Sequence, residues 1–104
     1  MSDPDERDDH PMHVVHNARR HRYEISDGEE VVGFATYRLP DDEHVDFLHT
    51  EVDDAYAGQG LASRLVGFAL ADVRASGRRI IPHCPYVARW VNRHPDYADI
   101  TDWP

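Results

Sequence analysis

Hydrophobic and polar positions alternate with a period of two over the first half of the chain and then switch to a period near 3.6. Within residues 14–26, His21, Tyr23 and Ile25 alternate against Arg22 and Glu24, the pattern of a half-buried strand. Asp27-Gly28 supplies a hairpin turn. Residues 31–39 form the return strand, with Val31, Gly33, Ala35 and Tyr37 on one face. After a turn at Pro40-Asp41-Asp42-Glu43, residues 45–52 predict a third strand. Val45, Phe47, His49 and Glu51 point one way on it, and Asp46, Leu48, Thr50 and Val52 the other. Three consecutive strands joined by short turns make an antiparallel meander.

Across residues 61–75, Leu61, Leu65, Phe68, Ala69 and Val73 recur at spacings of three and four, which predicts an amphipathic helix capped near Gly77. Residues 79–82 are a short apolar strand. It follows a crossover helix, so it should lie parallel to the third strand. Pro85 suits the first position of a second helix, making Cys84 its N-cap, with Val87, Trp90 and Val91 as the buried stripe and His94-Pro95 as the stop. Tyr97, Ile100 and Trp103 are expected to pack back on the core. The predicted order is β-β-β-α-β-α, an α/β domain with a mixed sheet spanning residues 13–104. Residues 1–12 are acidic, carry Pro4 and Pro11, and contain too little apolar surface to order themselves, which predicts a flexible tail.

A chain of 104 residues accommodates one modest core. The formal net charge of −9 argues against nucleic acid as a partner, because a phosphate-neutralising surface needs clustered cations. Every basic residue is Arg. The single cysteine, Cys84, excludes an internal disulfide framework and points to a reducing compartment. There is no apolar run long enough to span a bilayer and no apolar signal core at the N-terminus, so neither a membrane nor export is indicated and a cytoplasmic location is expected. His10, His13 and His16 recur at spacings of three. No Cys or carboxylate completes a metal pattern, so they read as solvated or strand-facing residues.

The feature with most chemical content is Gly58-Gln59-Gly60, between the third strand and the first helix. A glycine-rich entry to a helix leaves backbone N–H groups unpaired and aimed at one point, a site for phosphate oxygens. The N–H groups of Gln59, Gly60, Leu61, Ala62 and Ser63 would line such a cradle. A Walker loop needs Gly-Lys-Ser/Thr, and the chain has no Lys. The dinucleotide fingerprint wants a third glycine where Ser63 stands, after an opening βαβ strand.

Thr50-Glu51-Val52 followed by Tyr56-Ala57-Gly58-Gln59-Gly60-Leu61-Ala62-Ser63-Arg64-Leu65 resembles the acetyl-CoA-binding motif of the GNAT superfamily of N-acetyltransferases, Gln/Arg-x-x-Gly-x-Gly/Ala. Gly60 and Ala62 fill its last two fixed positions, and Ala57 stands where Gln or Arg is usual. The run Ile81-Pro82-His83-Cys84-Pro85-Tyr86-Val87, with Trp90 and His94-Pro95, is similar to the compact Yjdj-type acetyltransferase-like domains. The resemblance covers roughly residues 21–100 and implies a small GNAT-like fold. It also implies acetyl-CoA in a V-shaped gap between the third strand and residues 79–82. The pantetheine arm would run along the backbone around residues 49–52, including Glu51 and Val52, and the pyrophosphate would sit on residues 57–63. The thioester would reach the His83-Cys84 corner.

Two chemistries follow from that placement. A thiol at a helix N-terminus has its thiolate favoured, so Cys84 is a candidate nucleophile beside a thioester; a small buried hydrophobe is the competing reading. Direct transfer instead needs a base for the amine proton and an acid for the departing thiolate. His49 or Glu51 would be the base and Tyr86 or His83 the acid. The expected function is acetyl transfer from acetyl-CoA to an amine, small or peptidic. The alternative is a module that binds acyl-CoA as a sensor or carrier without turnover.

Overall fold

The period-two half of the chain folds into four antiparallel strands, one more than its alternation predicts. In the computed structural model, residues 12–104 are described; the acidic segment before them, with His10, lies outside the described residues. The expected strand within 14–26 is two strands, β1 (Met12–Asn17) and β2 (Arg22–Asp27). They pair antiparallel from Met12↔Asp27 to Asn17↔Arg22. Met12, predicted as tail, therefore opens the sheet. The reversal is a 3₁₀ turn at Ala18–Arg20, where the Asn17 side chain accepts from the Arg20 N–H at 3.3 Å and His21 adopts φ +53°. No glycine or proline marks this turn, which is why the pattern reads through it.

β3 (Glu30–Arg38) and β4 (His44–Val52) continue the meander, and β5 (Arg79–Pro82) adds parallel to β4, giving a sheet in the order β1-β2-β3-β4-β5. Two extra residues interrupt the ladders. Ile25 pairs with Gly33 and Ser26 with Val31, leaving Val32 over; Val32 is buried and Val31 is 42% exposed, the reverse of simple alternation. Thr36 pairs with His49 and Tyr37 with Phe47, leaving Leu48 over. A one-residue bulge shifts every later side chain to the other face. Thr50 and Val52 thus share the core face with Val45 and Phe47, and His49 and Glu51 share the outer face with Asp46. The predicted face of Val45, Phe47, His49 and Glu51 is corrected accordingly.

The helix α1 (Leu61–Ala75) lies on the core face, burying Leu61, Leu65, Val66, Ala69, Leu70 and Val73. Phe68, expected in that stripe, is 44% exposed and meets Tyr23 edge-on with ring centroids 6.2 Å apart. The Tyr23 hydroxyl donates to Asp72 Oδ2 at 2.6 Å. The helix ends in a Schellman turn: Gly77 takes φ +79°, its N–H reaches Arg74 O at 3.1 Å, and the Arg78 N–H reaches Val73 O at 3.2 Å. α2 (Pro85–Arg93) begins at Cys84 and buries Val87, Trp90 and Val91, as the pattern predicts. Trp90 joins the helices. Its Nε1 donates to Ser63 Oγ at 3.1 Å, and its ring lies so close to Gly67 that an added Cβ there would stand 3.3 Å from it. No helix among the described residues is long and apolar enough to cross a membrane.

Beyond α2, a 3₁₀ turn at Pro95–Ile100 packs Tyr97 and Ile100 on the core, whereas Trp103 stays 53% exposed, contrary to expectation. Thr101 bridges Ile80 in parallel. The Asp102 carboxylate then accepts from Arg79 Nε at 2.7 Å and Nη2 at 2.9 Å, and lies 2.8 Å from His44 Nε2. His44 Nδ1 meets Asp41 Oδ1 at 2.9 Å. These bonds pin the starts of β4 and β5 together. Hydrogen bonds to Asp102 first, and to Asp41 second, raise the His44 imidazole above its usual value; the Arg79 guanidinium foremost, then His44, hold Asp102 well below the carboxylate range.

His44 is favoured as imidazolium in the folded state. Its contribution is therefore complete below the ordinary imidazole value, about 6.5, and is lost as pH rises through its raised folded value. Thermal unfolding of the parent chain and of His44→Gln should differ more at pH 6 than at pH 9. A difference that is constant or larger at pH 9 would contradict this role.

Candidate functional site

β4 and β5 pair only from His44↔Arg79 to Phe47↔Pro82, and the Cys84 N–H closes the ladder on Phe47 O at 2.8 Å. β4 then runs on to Val52 with β3 along one edge and no described strand along the other. The strands part at the Leu48 bulge, just where their parallel pairing ends. In parallel α/β sheets, ligands bind in the crevice outside the carboxyl ends of the strands. Both helix N-termini open onto that crevice, because α1 follows β4 and α2 follows β5.

The connection into α1 is held from several sides. The Asp53 N–H donates to Val32 O at 2.7 Å, and its carboxylate accepts from the Ala55 N–H at 2.9 Å. The Tyr56 hydroxyl donates to Asp27 Oδ2 at 2.7 Å, and that bond is the main cause of its pKa being pushed up to about 12. Ala57-Gly58-Gln59-Gly60 leaves this anchor with Gly58 at φ +81° and Gly60 at φ +74°, conformations that L side chains rarely adopt. A Cβ added to either glycine would meet nothing within 4 Å, so the loop is open and glycine is required by the backbone.

Gly60 is the N-cap of α1 and offers no side chain to its amides; the first turn carries no acidic residue. The first helical bond is Arg64 N–H to Gly60 O at 3.1 Å. The N–H groups of Leu61, Ala62 and Ser63 therefore have no helical carbonyl, and the positive end of the helix dipole coincides with them. The sequence predicts an anion cradle on residues 59–63, and the structure leaves the N–H groups of three of them, Leu61, Ala62 and Ser63, without a helical partner.

Cys84 is 2% exposed, and its Sγ lies 3.4 Å from Thr50 Oγ1. The Leu48 bulge creates that contact by turning Thr50 inward. Neighbouring His83 is engaged from the outer face: its Nδ1 lies 2.6 Å from Oδ1 of Asp46. Asp46 is fully buried and also accepts from Arg38 Nε at 2.8 Å. Tyr86 is half-buried in the first turn of α2, with the Arg89 guanidinium 5.9 Å from its ring centre. His49 stands apart on the outer face, its side chain 61% exposed and Nε2 3.0 Å from Glu51 Oε1. The structure thus gathers the glycine loop, Thr50, Cys84 and the start of α2 around one crevice, and puts His49 and Glu51 on the other side of β4. Thr50 and Asp46 are the residues that sequence reasoning did not single out. An aspartate set between Val45 and Phe47 was the available signal for the second.

This arrangement, a mixed sheet whose parallel pair at one edge opens beside a glycine-entered helix, defines the class. The profile described as GCN5-related N-acetyl-transferase matches residues 22–100, and the chain belongs to that family. Protein NATD1 of Bos taurus is 33% identical over 86 residues, covering 82% of this chain and 76% of that protein; its Homo sapiens counterpart is 31% identical with the same coverage. The fold matches a GCN5-like protein from Staphylococcus aureus solved by NMR, with a TM-score of 0.69 at 22% identity over 88% of this chain and 89% of that one. Ard1 from Thermoplasma volcanium matches with a TM-score of 0.51 at 21% identity, over 56% of this chain and 39% of its own.

Asp46→Asn removes a charge to which both Arg38 and His83 are bound. It should lower stability by about 1–3 kcal/mol in urea unfolding, the usual cost of disrupting a buried charged hydrogen bond. An unchanged midpoint would mean that the pair of bonds carries no net weight.

Proposed function

We propose that the chain binds acetyl-CoA in the crevice between β4 and β5 and transfers its acetyl group to an amine. The observation that carries this reading is the uncapped start of α1, with Gly58 and Gly60 at positive φ, facing the unpartnered edge of β4. A pyrophosphate suits such a cradle because backbone amides bind its charge without any basic side chain. The pyrophosphate fits the amides of residues 58–63; Ala57, where Gln or Arg is usual, borders them but gives its own N–H to Asp54 O at 3.1 Å. The free backbone edge of residues 48–52, Glu51 and Val52 among them, offers hydrogen bonds to an amide-bearing arm.

Acetyl-CoA supplies the activated thioester. The chain's part is to place that thioester beside Thr50 and Cys84 and to manage the protons. In the covalent route Cys84 Sγ would attack the thioester carbon and give up its proton to the departing sulfur, and the amine would then take the acetyl group and return a proton to Cys84 Sγ. In the direct route His49, oriented by Glu51, accepts the amine proton, and Tyr86 or His83 protonates the departing thiolate. On the outer face a depression of about 350 Å³ offers a cationic amine the carboxylates of Glu51 and Asp53, beside Phe34 and the Arg22 guanidinium that Glu24 pairs.

Calorimetric titration with acetyl-CoA and CoA, followed by thiol release over a panel of amines, tests the proposal. Binding with release is expected; binding without release would indicate a sensor or carrier, and no binding would contradict both. Gly60→Ala should weaken acetyl-CoA binding roughly tenfold while the chain stays folded, because a Cβ at φ +74° costs about 1–2 kcal/mol and drives the loop out of the conformation that aims its amides. Cys84→Ser separates the two routes. Transfer abolished with binding intact supports acetyl-Cys84, and full transfer assigns the chemistry to direct attack.

A further inference from the structure

Among the described residues, Arg22, Arg38, Arg74 and Arg79 are each paired with a carboxylate. Arg19, Arg20, Arg64, Arg78, Arg89 and Arg93 have no carboxylate partner among the described residues, and of these Arg89 and Arg93 share a groove with Ser63 at the start of α1. They stand four apart on α2, so they project from the same side of the helix. With Tyr86, Trp90, His94 and Ser63 they line a groove of about 130 Å³. Its aromatic floor is fixed: the Trp90 and His94 rings stack 3.6 Å apart with 10° between planes, and His94 Nδ1 lies 2.7 Å from Trp90 O. The far wall is Ser63, in the first turn of α1, whose own N–H belongs to the anion cradle.

The groove therefore continues from the cradle and ends in two free guanidinium groups. A ligand with only one anionic centre would leave them unused. We infer that Arg89 and Arg93 bind a second phosphate, carried about one ribose away from the pyrophosphate, which for the proposed donor is the 3′-phosphate of CoA. This inference rests on the acetyl-CoA reading above and extends it from the pyrophosphate to the adenosine end. Two guanidinium forks suit a phosphate dianion because each offers paired N–H donors in a fixed plane. It would make the site selective for full CoA over 3′-dephospho-CoA and over ligands that end at the pyrophosphate.

Titration of the full chain with acetyl-CoA and with 3′-dephospho-acetyl-CoA tests it. The parent chain should bind acetyl-CoA on the order of tenfold more tightly, as expected for charge-assisted bonds to phosphate. The double variant Arg89→Ala/Arg93→Ala should bind both compounds equally, at the level the parent shows for the dephospho form. The double variant Arg89→Lys/Arg93→Lys should restore part of the preference. Equal binding of both compounds by the parent chain, or a preference that survives the alanine pair, would overturn this inference while leaving the crevice occupied. Failure of the parent chain to bind either compound would instead remove the acetyl-CoA reading, and this inference with it.

Discussion

One surplus residue in β4, Leu48, governs the working half of the structure. Up to Phe47, β4 is a central strand, held by β3 on one side and β5 on the other. A bulge at that point re-aims the strand and ends its second ladder, so the parallel pair opens where two helix N-termini converge. The same insertion reverses the side-chain faces. Thr50 reaches Cys84 because of it, and His49 and Glu51 are delivered to the opposite side. Without Leu48, a regular strand would turn His49 and Glu51 to the core and remove the Thr50–Cys84 contact.

An opening between two strands of a sheet must be braced from outside, and the braces can be named. At the closed end, Asp102 binds Arg79 and His44 and so holds the first residues of β5 and β4 together. At the fork, the buried Asp46 ties Arg38 to His83 across β3, β4 and the residue after β5. On the helical side, Trp90 reaches from α2 to Ser63 of α1, fixing the spacing of the two helices that flank the crevice. Each brace includes a bond between elements distant in sequence. Polar bonds do this work because only a narrow apolar layer is available in a chain of this length.

What the sequence disclosed depended on whether a local rule was decisive. α1 and α2 were legible to the residue, because apolar spacing, Gly60, Gly77 and Pro85 each act within a turn or two. The parallel placement of β5 followed from chain connectivity. The permissive glycines before α1, Gly58 and Gly60, were legible for the same local reasons. The reversal between β1 and β2 was not, since Asn17 and a left-handed His21 make it without glycine or proline. The two bulges were illegible because Val32 and Leu48 are ordinary strand residues, and only the partner strand shows that one is surplus. The error propagated into the site: it joined His49 to the core face and hid Thr50.

Membership of the GCN5-related N-acetyltransferase family and the shared fold account for the architecture. The central claim is that one continuous surface, from the start of α1 along the free edge of β4 to Cys84, receives acetyl-CoA. Amide chemical shifts recorded during an acetyl-CoA titration test this most directly. Shifts concentrated in residues 48–52, 57–63 and 83–86 are predicted. Shifts confined to the outer face around Arg22 and Phe34, or none at saturating acetyl-CoA, would contradict it.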